Sequence, residues 1–357
     1  IRGQRPRGKN RQQRAKHPAS AERLRLRLMK LGVPTGLTVI QGAGHGIFQK
    51  RVWFDQVVHT AAAFFTLHLK HRGKPPVVCD VPGIFAKESQ WQLLGSGYAG
   101  SEGAQWIGDT LHFAAQHDFL AFKWTEQGGL KVWRDDSPEA TSFRPDGQGG
   151  YFVVEQTYRR LTRWDASGKM TEVLADKFED KLLNRPNDVI VKSDGTLWLT
   201  DPDWLFNQRT NEVKELAGQS VYRVDPKTKA LTAVARDFDK PNGIAFSPDE
   251  KWLYVTDSGT PNLYRWPVHA DGTLGERTTF ATFAERGLDG LAFDAQGRLW
   301  CCTKDGIRVL DKEGKELGLI QTPSKPTAIA FAPAPSPLVC VTMRDACFVT
   351  RLSSSQP

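Results

Sequence analysis

No apolar stretch in the 357 residues approaches the ~18 needed to cross a bilayer, and no secretory-leader pattern opens the chain, so no membrane span is expected. The compartment stays open between periplasmic or secreted and cytoplasmic. Cysteine is scarce. The five thiols, Cys79, Cys301, Cys302, Cys340 and Cys347, are odd in number and lack zinc or thioredoxin spacing, so neither a metal cluster nor a disulfide framework follows from them. Cys301-Cys302 read most simply as filling in a strand. Acidic residues are nearly absent from the first thirty positions: residues 1–30 hold eleven Lys/Arg against the single Glu22, a local charge of +10. The whole chain is +8, so residues 31–357 are left at −2. The basic character is a tail without interleaved aromatics, and no nucleic-acid partner is expected.

A serine elbow, G-x-S-x-G, is also missing. That matters because residues 20–70 read as helix, strand, helix. Leu24, Leu28 and Leu31 fall at helical spacing before Gly32 and Pro34, Gly36 to Ile40 is a β-type run, and Val52 to Leu69 is a long apolar helix. Between the last two lies Gly42-Ala43-Gly44-His45-Gly46, whose glycines would leave the imidazole exposed at a strand end. With Leu31-Gly32-Val33-Pro34, Phe64-Phe65 and His68-Leu69-Lys70, this stretch resembles the C-terminal segment of α/β-hydrolase esterases. The resemblance implies that His45 is a triad histidine. A triad needs a serine and an acid upstream of it, so the segment is expected to be a truncated, inactive remnant whose esterase half lies outside this chain. Lys74-Pro75-Pro76 suggests a stiff connector. The expected organisation is a disordered basic tail at 1–20, the hydrolase-like segment at 21–72, a linker at 73–88 and an all-β domain at 89–353.

Beyond the linker, short β-type runs alternate with turn dipeptides such as Asp146-Gly147, Asp194-Gly195 and Asp271-Gly272. Asn187 to Asp201, Asn242 to Asp257 and Asp289 to Thr303 share one pattern: polar start, apolar strand, turn, and a second strand carrying Trp198, Tyr254 or Trp300. Their offsets of 55 and 47 residues, at four strands per unit, predict a β-propeller. Unit starts near Glu102, Phe143, Asn187, Asn242, Asp289 and Pro326 make six blades, and a strand around Trp91 to Leu94 is expected to complete the last one.

The first strand of each blade lines the channel of a propeller. Glu102, Asn187, Asn242 and Asp289, at the starts of four such strands, would therefore converge on the axis. Two carboxylates and two amide carbonyls form an all-oxygen set suited to one divalent cation, Ca²⁺ above all, with Zn²⁺, Mn²⁺ and Mg²⁺ left open. Asn or Asp before Gly is also an ordinary turn former. Four such phrases in register favour the metal.

These residues resemble the family of senescence marker protein, gluconolactonase and luciferin-regenerating enzyme, over about Trp91 to Leu352. The likeness includes Tyr151-Phe152-Val153-Val154-Glu155, Leu182-Leu183-Asn184-Arg185-Pro186-Asn187-Asp188-Val189, Thr200-Asp201-Pro202 and Pro241-Asn242-Gly243-Ile244-Ala245-Phe246. It implies a six-bladed propeller with one axial cation held by Glu102, Asn187, Asn242 and Asp289, a substrate-contacting Arg185, and lactone hydrolysis. Two departures stand out: Ala104 follows Glu102-Gly103 where the family has proline, and Asp203 precedes the aromatic Trp204. Opening a lactone needs a base near the cation; Asp289 is the first candidate, Asp201 and Asp203 its competitors, with Glu155 and Trp204 shaping the pocket. A sugar or aldonolactone is the expected substrate. The alternatives are a non-catalytic binding propeller with a structural metal, and an aryl-esterase or phosphotriesterase at the same centre.

Overall fold

The computed structural model describes residues 77–78, 81, 83–85, 89–204 and 213–353. The basic tail, the hydrolase-like segment and His45 lie outside them. Apart from a 3-10 turn at Gln116–Asp118, the secondary structure of the described residues is strand and turn. Six antiparallel sheets, five of four strands and one of five, follow one another in chain order, with a small two-stranded sheet, Lys177–Phe178 with Lys181–Leu182, beside them. Their first strands are Ser101–Ile107, Ala140–Pro145, Val189–Val191, Pro241–Phe246, Leu291–Phe293 and Pro326–Phe331, here called blades 1 to 6. These are the six units expected from the repeats.

Blade 6 supplies only three strands in sequence, and its outer strand is Gln92–Ser96, paired antiparallel with Ala346–Arg351. The two ends of the domain thus close the ring, and Gln92–Ser96 covers the outer edge that Ala346–Arg351 would otherwise leave unpaired. Val77–Val78 adds a fifth strand outside blade 5, and Phe85 bridges to Leu352. Part of the stretch expected as a linker is therefore docked, with Ile84 buried against blades 5 and 6.

Each blade is sandwiched between two others, so both faces of its strands are apolar. Leu197 and Leu199 pack toward blade 2 while Trp198, between them, packs toward blade 4. Trp300 and Tyr254 likewise face the following blade. Six hydrophobic clusters fill the six interfaces between blades. Deleting one of these buried rings would cost about 3–5 kcal/mol. The turns follow from Asp-Gly chemistry: Asp194 Oδ1 accepts the Thr196 N–H at 2.9 Å, and Gly195 takes φ +86°.

The closing strand gives a direct test. A chain starting at Gln90 loses the docked Val77–Val78 and Ile84 and should melt below the parent, whereas one starting at Ala99, which also lacks Gln92–Ser96, should melt on the order of 10 °C lower still. Thermal denaturation of the two truncations reads the difference.

Candidate functional site

The first strands surround an axial cavity of about 210 Å³. Glu102, Asn187, Asn242 and Asp289 all line it, beside Thr141, Arg144, Asp188 and Thr327. The four expected ligands thus arrive from blades 1, 3, 4 and 5.

Local backbone geometry explains why a glycine follows three of them. A Cβ on Gly103 would lie 2.7 Å from Thr141 O, one on Gly243 2.6 Å from Asp289 O, and one on Gly290 2.5 Å from Thr327 O. Neighbouring first strands touch there, and only glycine fits. Gly103 is also at φ +65°. The Asn-Gly and Asp-Gly phrases are therefore close-approach positions rather than turns. Buried threonines then tie each ligand strand to its neighbour: Thr141 Oγ1 donates to Asn187 O at 2.6 Å, Thr200 to Asn242 O at 2.7 Å, Thr256 to Asp289 O at 2.8 Å and Thr327 to Ser101 O at 2.6 Å.

The charges in the cavity are crowded. Burial, then the nearby Asp289 carboxylate, raises the Glu102 carboxyl well above its usual range, against the pull of Lys325 and Arg344. Lys325 Nζ is 2.7 Å from Asp289 Oδ2. Asn242 Nδ2 donates to Ser258 Oγ at 2.9 Å, which leaves the amide oxygen as the group turned away from that contact. Asp188, in the place where the other phrases have glycine, accepts from Ser142 Oγ at 2.7 Å and Arg144 at 3.2 Å.

Arg185, Asp201, Asp203, Trp204 and Glu155 do not line the axial cavity. Arg185, Asp203 and Trp204 lie on loops at the face where the first strands begin. Arg185 donates to Glu139 Oε2 at 2.8 Å, and the other oxygen of Glu139 is 3.1 Å from His117 Nδ1. Burial would raise the Glu139 carboxyl, but His117 and Arg185 hold it below its usual value. Asp203 is bound by Lys214 at 2.8 Å and by Lys240, which together outweigh burial and hold its carboxyl low. Lys240 Nζ also sits 5.6 Å from the centre of the Trp204 ring.

Asp201 differs from the rim residue expected. It is fully buried, and its Oδ2 accepts the Asn184 N–H at 2.8 Å. Asp257 does the same for Asp239 and Lys240 in blade 4, and Asp118 for Ala99 in blade 1. Burial pushes the Asp201 carboxyl up to about 8. Asp201 is a clasp on the loop that carries Arg185 and Asn187. Glu155 faces the interior of blade 2, accepting from Thr162 Oγ1 and Trp164 Nε1 at 2.8 Å and Arg160 Nε at 2.7 Å, so it braces that sheet instead of shaping the pocket. Sequence reasoning missed Lys325, Glu139 and His117. The Asp201 role had a signal in the chain, since Thr200-Asp201 recurs as Thr256-Asp257 at the same place in the next unit.

The donor chemistry fits a hard divalent cation. Among the described residues no group of three or more His, Cys, Asp or Glu could hold a metal. The axial set depends instead on amide oxygens joined to two carboxylates, which suits an oxygen-seeking ion.

The pattern of the SMP-30/Gluconolactonase/LRE-like region matches residues 100–343. The chain belongs to that family. A member from Zymomonas mobilis named gluconolactonase is 29% identical over 270 residues, 68% of this chain and 73% of its own length. A 6-deoxy-6-sulfogluconolactonase of Pseudomonas putida is 36% identical over 52% of this chain and 62% of its own length. The solved structure of a gluconolactonase from Xanthomonas campestris superposes with TM-score 0.72 at 30% identity, covering 78% of this chain and 95% of that one. Like these relatives, this SMP-30/gluconolactonase-like chain is a lactonase. No helix among the described residues is long and apolar enough to cross a membrane.

Two outcomes follow from the geometry. Gly243→Ala should displace Asn242 or Asp289, lowering stability by about 1–3 kcal/mol and catalytic turnover with it, as denaturant titration and initial rates would show. Asp201 releases its proton near 8 in the folded protein, and near ~3.9 in the unfolded chain. Its stabilising contribution is therefore complete below the unfolded value and lost as pH rises through the folded one. Asp201→Asn, which mimics the neutral acid, should show a flatter melting-temperature profile than the parent between pH 5 and 8; parallel profiles would rule this out.

Proposed function

We propose that the protein hydrolyses sugar-type lactones at the channel mouth, with one divalent cation, Ca²⁺ by preference, held by Glu102, Asn187, Asn242 and Asp289. The observation that carries this reading is the convergence of these four oxygen donors, from four blades, on one small axial cavity. The gluconolactonase relatives support the sugar-lactone class. When bound, such a cation polarises a carbonyl and stabilises an oxyanion.

The protein's own groups do the rest. Asp289, although Lys325 holds one of its oxygens, is the favoured base toward water because it alone of the three candidate carboxylates lines the axial cavity. Asp203 is saturated by two ammonium groups, which makes it a weak proton acceptor. Asp201 stays protonated below about 8 and is tied to a backbone N–H. Arg185, braced by Glu139, would orient substrate oxygens from blade 3, with Trp204 bordering the same face.

Asn242→Ala and Asp289→Ala should each reduce chelator-sensitive hydrolysis of an aldonolactone by about 10²-fold or more with an unchanged circular-dichroism spectrum. Full turnover in either variant would refute the assignment. Running aryl esters and organophosphates in parallel separates lactonase from aryl-esterase or phosphotriesterase chemistry, and cation binding without turnover of any of them would mark a binding module.

A further inference from the structure

Four blades bring a ligand-type residue to the channel mouth, and blade 6 brings an ammonium group. Lys325 precedes the strand Pro326–Phe331 and places Nζ 2.7 Å from Asp289 Oδ2, on a side chain only 22% exposed. Its backbone is held as firmly as those of the ligands: Lys325 O accepts the Arg344 N–H at 3.0 Å, and Thr327 Oγ1 donates to Ser101 O. Asp289 and Glu102 attract the ammonium, Arg344 opposes it, and these are the charged groups that act on it from blades 5, 1 and 6.

We propose that Lys325 is the built-in counter-ion of the axial site, neutralising the Asp289–Glu102 pair when no cation is present and competing with a divalent cation for Asp289. The proposal rests on the cation reading given above. Two carboxylates in a narrow, partly dry channel repel each other, and burial strengthens that repulsion. An ammonium on one of them relieves it and lets the ring close without metal. The same ammonium costs affinity, because a divalent ion must either displace it from Asp289 or bind beside a like charge. Lys325 thereby sets how tightly the channel holds its ion, a role distinct from ligation or catalysis.

Calorimetric titration of the full chain with Ca²⁺, together with melting curves in chelator, tests it. Lys325→Met should melt lower than wild type in chelator, bind Ca²⁺ on the order of tenfold tighter, and show a larger upward melting shift when Ca²⁺ is added. Lys325→Arg, which keeps the charge, should behave like wild type. A residue serving only as a structural prop would lower the melting temperature without tightening binding. If wild type binds Ca²⁺ and Lys325→Met binds it no more tightly, the counter-ion role is overturned while the cation site stands. If neither protein binds Ca²⁺ or Mn²⁺, the cation reading fails and takes this role with it. Should Lys325→Met not fold, Lys325→Gln carries the same comparison.

Discussion

The contact between neighbouring first strands around the axis is the constraint on which the rest depends. At Gly103, Gly243 and Gly290 the backbones approach so closely that a single methyl group would collide with the next blade's carbonyl or Cα. Threonine hydroxyls cross from blade 2 to 3, 3 to 4 and 4 to 5 to the carbonyls of Asn187, Asn242 and Asp289. A ring closed this tightly leaves an axial cavity of about 210 Å³. Glu102, Asn242 and Asp289, one position before each contact, line it. Site and fold are thus one arrangement: the close approach that lets six blades meet also concentrates four oxygen donors.

That concentration has an electrostatic consequence. Asp289 pushes the Glu102 carboxyl further up, and Lys325 and Arg344 from blade 6 oppose it. On the surrounding face, Arg185 is matched by Glu139, and Asp203 by Lys214 and Lys240. The hydrophobic clusters between blades hold the ring in register. They make these charge pairings affordable in partly buried positions, where an unmatched ion would be costly.

Much of the architecture was legible because a repeat buries the same faces each time. Trp198, Tyr254 and Trp300 recur at one phase, and each packs on the following blade. The closing strand near Trp91 was legible for a related reason, since a three-stranded last unit leaves an edge unpaired. Asp201 and Glu155 were misleading as site residues because a carboxylate beside a motif looks the same in sequence whether it faces a channel or a backbone N–H. The recurrence of Thr-Asp in the next unit was the available sign that Asp201 belongs to the scaffold. Lys325 and Glu139 carried no sign, because blades 2 and 6 lack the ligand phrase that made the others visible, and His117 carried none because it sits on the turn between the second and third strands of blade 1, away from that phrase.

By itself the sequence determined the number of blades, their order, the apolar faces that stack them and which residues open each first strand. These depend on local periodicity and turn chemistry, which a linear pattern records. Only the tertiary structure decided which of those opening residues share a cavity, which carboxylates are consumed as clasps, and that an ammonium from a silent blade lies against Asp289. Those outcomes depend on distances between residues tens to hundreds of positions apart, and such distances exist only once the ring has closed.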